Sequence, residues 1–100
     1  MIYITQLVYI KENEQKAFEE FEAVAIPIIS KYRGKMMLRV RPDEKSMIEF
    51  SIEQPYEIHL VSFESESDFK EFMADDERKK YLHLKEQSIR SVLLFKGEKL

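Results

Sequence analysis

The 100-residue chain contains no cysteine, no tryptophan and only two glycines. Without cysteine the protein has no disulfides, no thiolate nucleophile and no sulfur-ligated metal site. Because Gly34 and Gly97 stand far apart, there is no glycine-rich loop to cradle phosphates, and nucleotide binding of the familiar kinds is not expected. Several classes of enzyme are therefore excluded before any motif is considered.

A positive surface and a long apolar run are also missing. The formal net charge is -3, from 16 basic and 19 acidic residues, whereas phosphate backbones require clustered positive charge. No apolar stretch approaches the length that spans a bilayer, and the first residues lack the basic start of an export signal. We therefore expect a cytoplasmic protein that binds neither nucleic acid nor membrane.

What the chain does contain is typical of an ordinary globular protein. It is 44% hydrophobic and 35% charged, and its length leaves room for one domain over residues 1–100. A domain this small buries a modest share of its surface, so association with a second copy would add stability. A homodimer is expected on these grounds.

The apolar spacing predicts two halves of similar design. In the first half, alternation over residues 2–10 predicts a strand, helical spacing from Asn13 predicts an amphipathic helix that kinks near Pro27, and residues 35–41 predict a second strand. Residues 47–52 are not expected to form an independent element.

The second half repeats this order. Residues 56–63 predict a strand, Ser65 begins a capping box for a helix that Asp75 interrupts, and residues 91–96 predict the last strand. Right-handed crossovers then give a ferredoxin-like βαββαβ fold of the α+β class, with a four-stranded antiparallel sheet and two helices on one face.

Alternation also divides the strand residues between the two sheet faces. An aliphatic set is predicted to lie under the helices: Ile2, Ile4, Val8, Met36, Leu38, Val40, Ile58, Leu60, Val92 and Leu94. The opposite face then carries Tyr3, Thr5, Leu7, Tyr9, Met37, Arg39, Arg41, Glu57, His59, Val61, Phe63, Leu93 and Phe95. Such an apolar surface needs a cover, and a second copy of the chain is the simplest one.

Four segments of the chain together indicate a known group of proteins: Lys31-Tyr32-Arg33-Gly34-Lys35, Phe63-Glu64-Ser65-Glu66-Ser67-Asp68-Phe69, Tyr81 and Leu93-Leu94-Phe95-Lys96-Gly97. With these segments the sequence resembles the dimeric α+β barrel superfamily, in which two ferredoxin-like subunits pair their open sheet faces. It is most similar to a bacterial domain family of unknown function and next to the antibiotic-biosynthesis-monooxygenase-like proteins. Those families usually have a second glycine where this chain has Arg33 and an aromatic, often tryptophan, where it has Phe72.

His59 is the candidate catalytic residue, because an imidazole exchanges protons near neutral pH. Arg39, Glu57 and Tyr3 are the candidate ligand-binding residues, since guanidinium groups suit carboxylate or carbonyl ligands. The alternative is structural: His59 would be an interface residue, and Arg39 and Arg41 would pair with acids. Both interpretations stay open at the level of sequence.

The resemblance also suggests a haem site, because a histidine on a helix ligates haem in similar barrels. His83 would match that position. The haem-degrading members also use an asparagine and a tryptophan, and this chain has no tryptophan. Two histidines far apart in sequence make no metal site by themselves. No cofactor and no metal are therefore expected.

Two functions fit the sequence. The first is a homodimeric small-molecule-binding protein, or more specifically a cofactor-independent monooxygenase-like enzyme, with a cavity on which His59 and Arg39 converge. The second is a non-catalytic dimeric structural or interaction module, in which salt bridges neutralise both side chains and no cavity remains.

Overall fold

A computed structural model describes all residues, 1–100, and contains one four-stranded sheet. Its strands lie in the order β2-β3-β1-β4, and each is antiparallel to its neighbours. This is the order that two right-handed strand-helix-strand crossovers produce, so the predicted ferredoxin-like arrangement is confirmed. The strands are β1 (Ile2–Ile10), β2 (Gly34–Val40), β3 (Glu57–Phe63) and β4 (Ile89–Gly97).

The helices form one layer against this sheet. The predicted second helix is divided into three: after the first, Asp75 caps the next by accepting from the backbone N–H of Arg78. None of the helices is long and apolar enough to cross a membrane. They are α1 (Gln15–Ile28), α2 (Glu66–Met73), α3 (Asp76–Lys80) and α4 (Leu82–Ser88), with 3-10 turns at Ile29–Tyr32 and Glu44–Ser46.

The start of the first helix differs from the prediction. Asn13 does not cap α1, because its backbone is left-handed, with φ of 65°, and Glu14 occupies the cap position without a side-chain bond. At the other end the helix passes through Pro27 and tightens into a 3-10 turn at Ile29. Ser65 caps α2 as predicted, accepting from the N–H of Asp68 at 3.1 Å.

The turn from α1 into β2 places two unusual demands on the backbone. Arg33 is left-handed, with φ of 58°, a conformation that favours glycine. A Cβ on the following Gly34 would lie 2.6 Å from side-chain atoms of both Ile29 and Phe63. Gly34 is therefore needed for close approach of the strand to the core, whereas Arg33 accepts a strained conformation.

The core lies between the helices and one face of the sheet. Ile4, Val61 and Phe63 of the sheet are at most 5% exposed and pack against Ile28 and Phe72 of the helices. The phenyl rings of Phe63 and Phe72 lie 5.5 Å apart. We refer to this surface of the sheet as the helix-covered face.

The division of strand residues between the two faces was predicted wrongly for β3. Its register with β1 places Gln6 opposite His59 and Val8 opposite Glu57, so that the polar residues of β3 lie under the helices. Ile58 and Leu60 lie on the other side. Alternation alone could not assign the faces of β3, because both sets contain large apolar residues.

In β2 the alternation of side chains between the two faces of the sheet is reversed partway along the strand. The register with β3 shifts between Met36 and Leu38, which is the signature of a bulge. Met36 stays against the core, while Arg39 lies opposite His59 on the helix-covered face. The predicted grouping of Met36 with Leu38 and Val40 is therefore wrong, because one extra residue reverses the alternation.

Candidate functional site

A cluster of ionised side chains lies at one end of the helix-covered face. Glu57 and His59 are two residues apart on β3 and point to the same side of the sheet. Glu22 of α1 contacts His59 from the helix layer. These three residues are only 1%, 7% and 4% exposed, respectively. The His59 Nε2 contacts a Glu57 carboxylate oxygen and lies 2.9 Å from Glu22 Oε2.

Arg39 of β2 and Arg41, which follows the strand, complete the cluster from the solvent side. Arg39 donates from Nη2 to Glu22 Oε1 at 2.8 Å and from Nε to Glu57 Oε2 at 3.1 Å. Arg41 donates from Nε to Glu57 Oε1 at 2.8 Å and lies 3.1 Å from a carboxylate oxygen of Glu19. The bulge in β2 places Arg39 on this face, and Arg41, two residues further along the chain, reaches Glu57 as well.

The cluster is electrically balanced when His59 is protonated. Three acids, Glu19, Glu22 and Glu57, then face three bases, Arg39, Arg41 and His59. Buried ions are tolerated when they are paired and hydrogen-bonded in this way.

The cluster fixes the protonation states of its central members. Burial by itself would lower the pKa of His59, but the contacts with Glu22 and Glu57 outweigh it and raise the pKa to about 9. Burial would likewise raise the pKa of Glu57, yet its contacts with His59, Arg41 and Arg39 hold that pKa far below its usual range. Burial raises the pKa of Glu22. At neutral pH the imidazole is therefore a cation between two glutamates.

The same three residues are the only group with the donor atoms for a metal ion, since oxygens of Glu22 and Glu57 and a nitrogen of His59 lie within 4.8 Å of one another. The residues do not fit that role. Both oxygens of Glu57 accept from arginines, and a protonated imidazole cannot donate a lone pair to a metal.

A cavity of about 200 Å³ lies between the helices and the sheet. Most of its 21 lining residues are hydrophobic, among them Phe21, Phe63 and Phe72. The lining also contains a few polar side chains: Gln6, Glu22, His59, Arg78 and Lys85. An apolar chamber with a small number of placed polar groups is the usual form of a small-molecule site.

The structure separates the candidate ligand-binding residues. His59 borders the cavity, while Arg39 and Glu57 border a shallow surface depression outside it. Tyr3 points to the opposite face of the sheet and takes no part in the cluster. In the pairing of β1 with β3 it lies opposite Ser62. His59 and Arg39 are therefore joined through Glu22 and Glu57 rather than by a shared ligand space.

His83 is remote from all of these groups. It is exposed on α4, stacks on Tyr81 with ring centroids 6.4 Å apart, and does not line the cavity. The cavity is also smaller than the 300–1,000 Å³ or so of sites for drug-sized ligands, and a porphyrin would not fit. The residues present do not form a haem site.

Glu22 is a member of the site that the sequence analysis did not identify. A signal was present, because Glu22 falls at helical spacing with Phe18, Phe21 and Ala25, which are all buried. A carboxylate in the apolar stripe of a helix predicts a buried basic partner. Arg78 and Lys85 carried no comparable signal among the many basic residues of the second half.

No family model and no curated protein matches the chain significantly. Solved structures do resemble it. A protein of unknown function from Rhodopseudomonas palustris has a TM-score of 0.84 at 14% identity, covering 99% of this chain and 82% of that one. An uncharacterised NIPSNAP domain protein from Burkholderia xenovorans has a TM-score of 0.72 at 8% identity, covering 100% and 95%.

A third similar structure is a dimeric protein of unknown function and ferredoxin-like fold from Bacteroides fragilis, with a TM-score of 0.72 at 10% identity and coverage of 98% and 95%. At these identities the similarity concerns the fold. The resemblance found in the sequence is confirmed at that level, and the chain is an α+β protein of the ferredoxin-like kind.

Proposed function

We propose that this protein binds a small, largely apolar molecule in the cavity between its helices and its sheet, and that it works as a homodimer. The observation that carries the proposal is the cavity of about 200 Å³ lined by phenyl rings and aliphatic side chains. Well-packed interiors contain few voids larger than a water molecule, so a space of this size is unusual for a small domain. Apolar cavities of about 150 Å³ can stay dry and accept a benzene-sized guest.

A guest would have a short route to solvent. Met73 and Leu94 line the cavity and yet are 36% and 42% exposed, so the chamber reaches the surface between the end of α2 and β4.

Binding accounts for the geometry better than monooxygenase-like catalysis by His59. A general base must be unprotonated at the working pH, whereas the raised pKa of His59 keeps it protonated up to about pH 9. Its Nε2 is also occupied by the two glutamates. We therefore assign His59 to the wall of the cavity and to the salt-bridge cluster.

The experiment that tests binding is a titration with benzyl alcohol, followed by amide chemical shifts in two-dimensional NMR. The native protein should bind with a dissociation constant below about 1 mM, with the largest shifts around the cavity. Replacing Ala25 by leucine should abolish binding, because Ala25 is 7% exposed, lines the cavity and would project the added side chain into it. The thermal melt should show that the variant still folds.

Ala23→Leu is the matched control, since Ala23 is exposed on the same helix and does not line this cavity. It should bind benzyl alcohol like the native protein. The proposal is wrong if the native protein binds neither the alcohol nor benzoate, or if Ala25→Leu binds such a compound as well as the native protein does. A protein that is folded, dimeric and unable to bind would support the non-catalytic module instead.

The homodimer is proposed from the sheet face that the helices leave uncovered. Phe95 is 55% exposed, and Leu93 and Leu38 are 43% and 48% exposed. A contiguous apolar surface of this kind marks an association site, and the similar Bacteroides fragilis protein is dimeric. We call this surface the open sheet face; it consists of Tyr3, Thr5, Leu7, Leu38, Val40, Ile58, Leu60, Leu93 and Phe95.

Sedimentation equilibrium at about 10 μM should give twice the chain mass of 12.0 kDa. Phe95→Glu should convert the protein to monomer, because a two-fold interface receives the buried charge twice. Ala23→Glu adds the same charge on the helix layer and should leave the dimer intact. A native monomer at this concentration would contradict the proposal.

A further inference from the structure

Arg78 is a buried arginine that has no acidic partner. It is 6% exposed, yet its guanidinium forms no salt bridge, and its one side-chain hydrogen bond runs from Nη1 to the carbonyl oxygen of Met73 at 3.2 Å. Its Nε has no hydrogen-bond partner at all. Arginine is almost never buried without a paired anion, because removing the charge from water is costly.

Aromatic rings hold this guanidinium in place without neutralising it. Its central carbon lies 5.1 Å from the ring centroid of Phe72 and 5.7 Å from that of Phe21. Burial lowers the pKa of Arg78, and the charge of Asp75 offsets this only in part. Asp75 is itself occupied, since it accepts from the Tyr32 hydroxyl at 2.5 Å.

Lys85 adds a second cation to the same wall. It lines the cavity together with Arg78 and forms no salt bridge. Burial lowers the pKa of Lys85, and the positive charge of Arg78 lowers it further. Two like charges thus lie near each other beside an apolar space, and the acids close to them, Asp75 and Glu86, offset the effect of burial only in part.

The remainder of the cavity supplies no net negative charge. Glu22 and His59 are its other ionisable lining residues, and both belong to the balanced cluster with Arg39. The lining as a whole is therefore positive, and the excess lies at Arg78 and Lys85. A neutral guest would leave these positive charges without a paired anion.

We propose that the cavity binds a small organic acid, whose carboxylate pairs with Arg78 and Lys85 while its apolar body packs against the phenyl rings of Phe21, Phe63 and Phe72. This inference rests on the proposed binding function and specifies its ligand class. The free Nε of Arg78 supplies a donor beside the phenyl rings, and a guanidinium is well matched to a carboxylate. Arg78 is therefore the residue that selects an anion.

The test compares benzoate with benzyl alcohol, which have nearly the same shape and differ in charge. The native protein should bind benzoate about tenfold or more tightly than the alcohol, as measured by calorimetry or NMR titration. In Arg78→Met this preference should disappear, while benzyl alcohol still binds within about twofold of native, because the ring contacts of the guest remain. Lys85→Met should reduce the preference in the same direction.

Lys79→Met is the control, since Lys79 is exposed on the same helix as Arg78 and does not line the cavity. It should keep the native preference for benzoate. Equal binding of benzoate and the alcohol by the native protein overturns the inference while the binding function stands, and so does a preference that survives in Arg78→Met. Failure of both compounds to bind overturns the function and the inference together.

A structural role for Arg78 makes a different prediction for stability. If the arginine served the fold, Arg78→Met would lower the melting temperature substantially. If it serves a ligand, the variant should melt within about 5 °C of the native protein or above it, because an unpaired buried charge has been replaced by an apolar chain of similar length.

Discussion

Glu57→Gln is expected to lower the free energy of unfolding by about 3–5 kcal/mol, the range measured when one partner of a buried ion pair is removed. Glu57 is 1% exposed and accepts from Arg39 and Arg41 as well as from His59. The amide keeps the shape of the side chain but removes the only charge that all three bases share. Because small proteins are stable by about 5–15 kcal/mol in total, a large part of the native stability would be lost.

Urea denaturation monitored by circular dichroism measures this change directly. Glu53→Gln is the matched control, because Glu53 also pairs with an arginine, Arg90, but both side chains are at least half exposed. Exposed pairs of this kind contribute about 1 kcal/mol or less. Similar losses in the two variants would show that the buried cluster has no special part in stability.

Stability is expected to fall as the pH rises from about 6.5 to about 9, and the cause is His59. Its pKa is raised in the folded protein from the ordinary value of 6.5 to about 9. A group that binds its proton more tightly in the folded state stabilises that state fully below its unfolded pKa, and the contribution is lost as the pH passes through the folded pKa. The shift corresponds to about 3 kcal/mol.

The measurement is a series of urea denaturation curves between pH 6 and pH 9.5. His59→Gln should be less stable than the native protein at pH 6 and should show little further loss up to pH 9, because no imidazolium remains to be deprotonated. His83→Gln is the control, since His83 is exposed on α4, and it should follow the native curve. A native protein whose stability is flat over this window would disprove the assigned protonation of His59.

Much of the fold could be predicted from the chain. The strands, the capping of α2 by Ser65 and the interruption near Asp75 follow from local patterns, because hydrophobic spacing and cap residues act over a few neighbouring positions. The order of these elements then leaves few ways of connecting them, and the ferredoxin-like topology is among the simplest. His59, Arg39 and Glu57 were also selected as a group for their chemistry, and the structure joins them in one cluster.

Local sequence patterns could not predict which side of each strand faces the helices. Alternation fixes which residues of a strand share a side, but both sides of β3 contain large apolar residues, so local hydrophobicity did not say which side the helices cover. The bulge after Met36 is a second case, since it depends on how β2 pairs with β3 and reverses the alternation for Leu38 and Arg39.

The sequence by itself determined the absence of cysteine chemistry, the succession of strands and helices, and the presence of large apolar residues on both faces of the sheet. Only the tertiary structure decided that Glu22 meets His59 from another element, and that Arg78 stands unpaired beside a cavity. The physical reason is that local structure arises from neighbours in the chain. Salt bridges, buried side chains and cavities form between residues that are far apart in sequence. They depend on the register of the strands and on how the helices pack on the sheet.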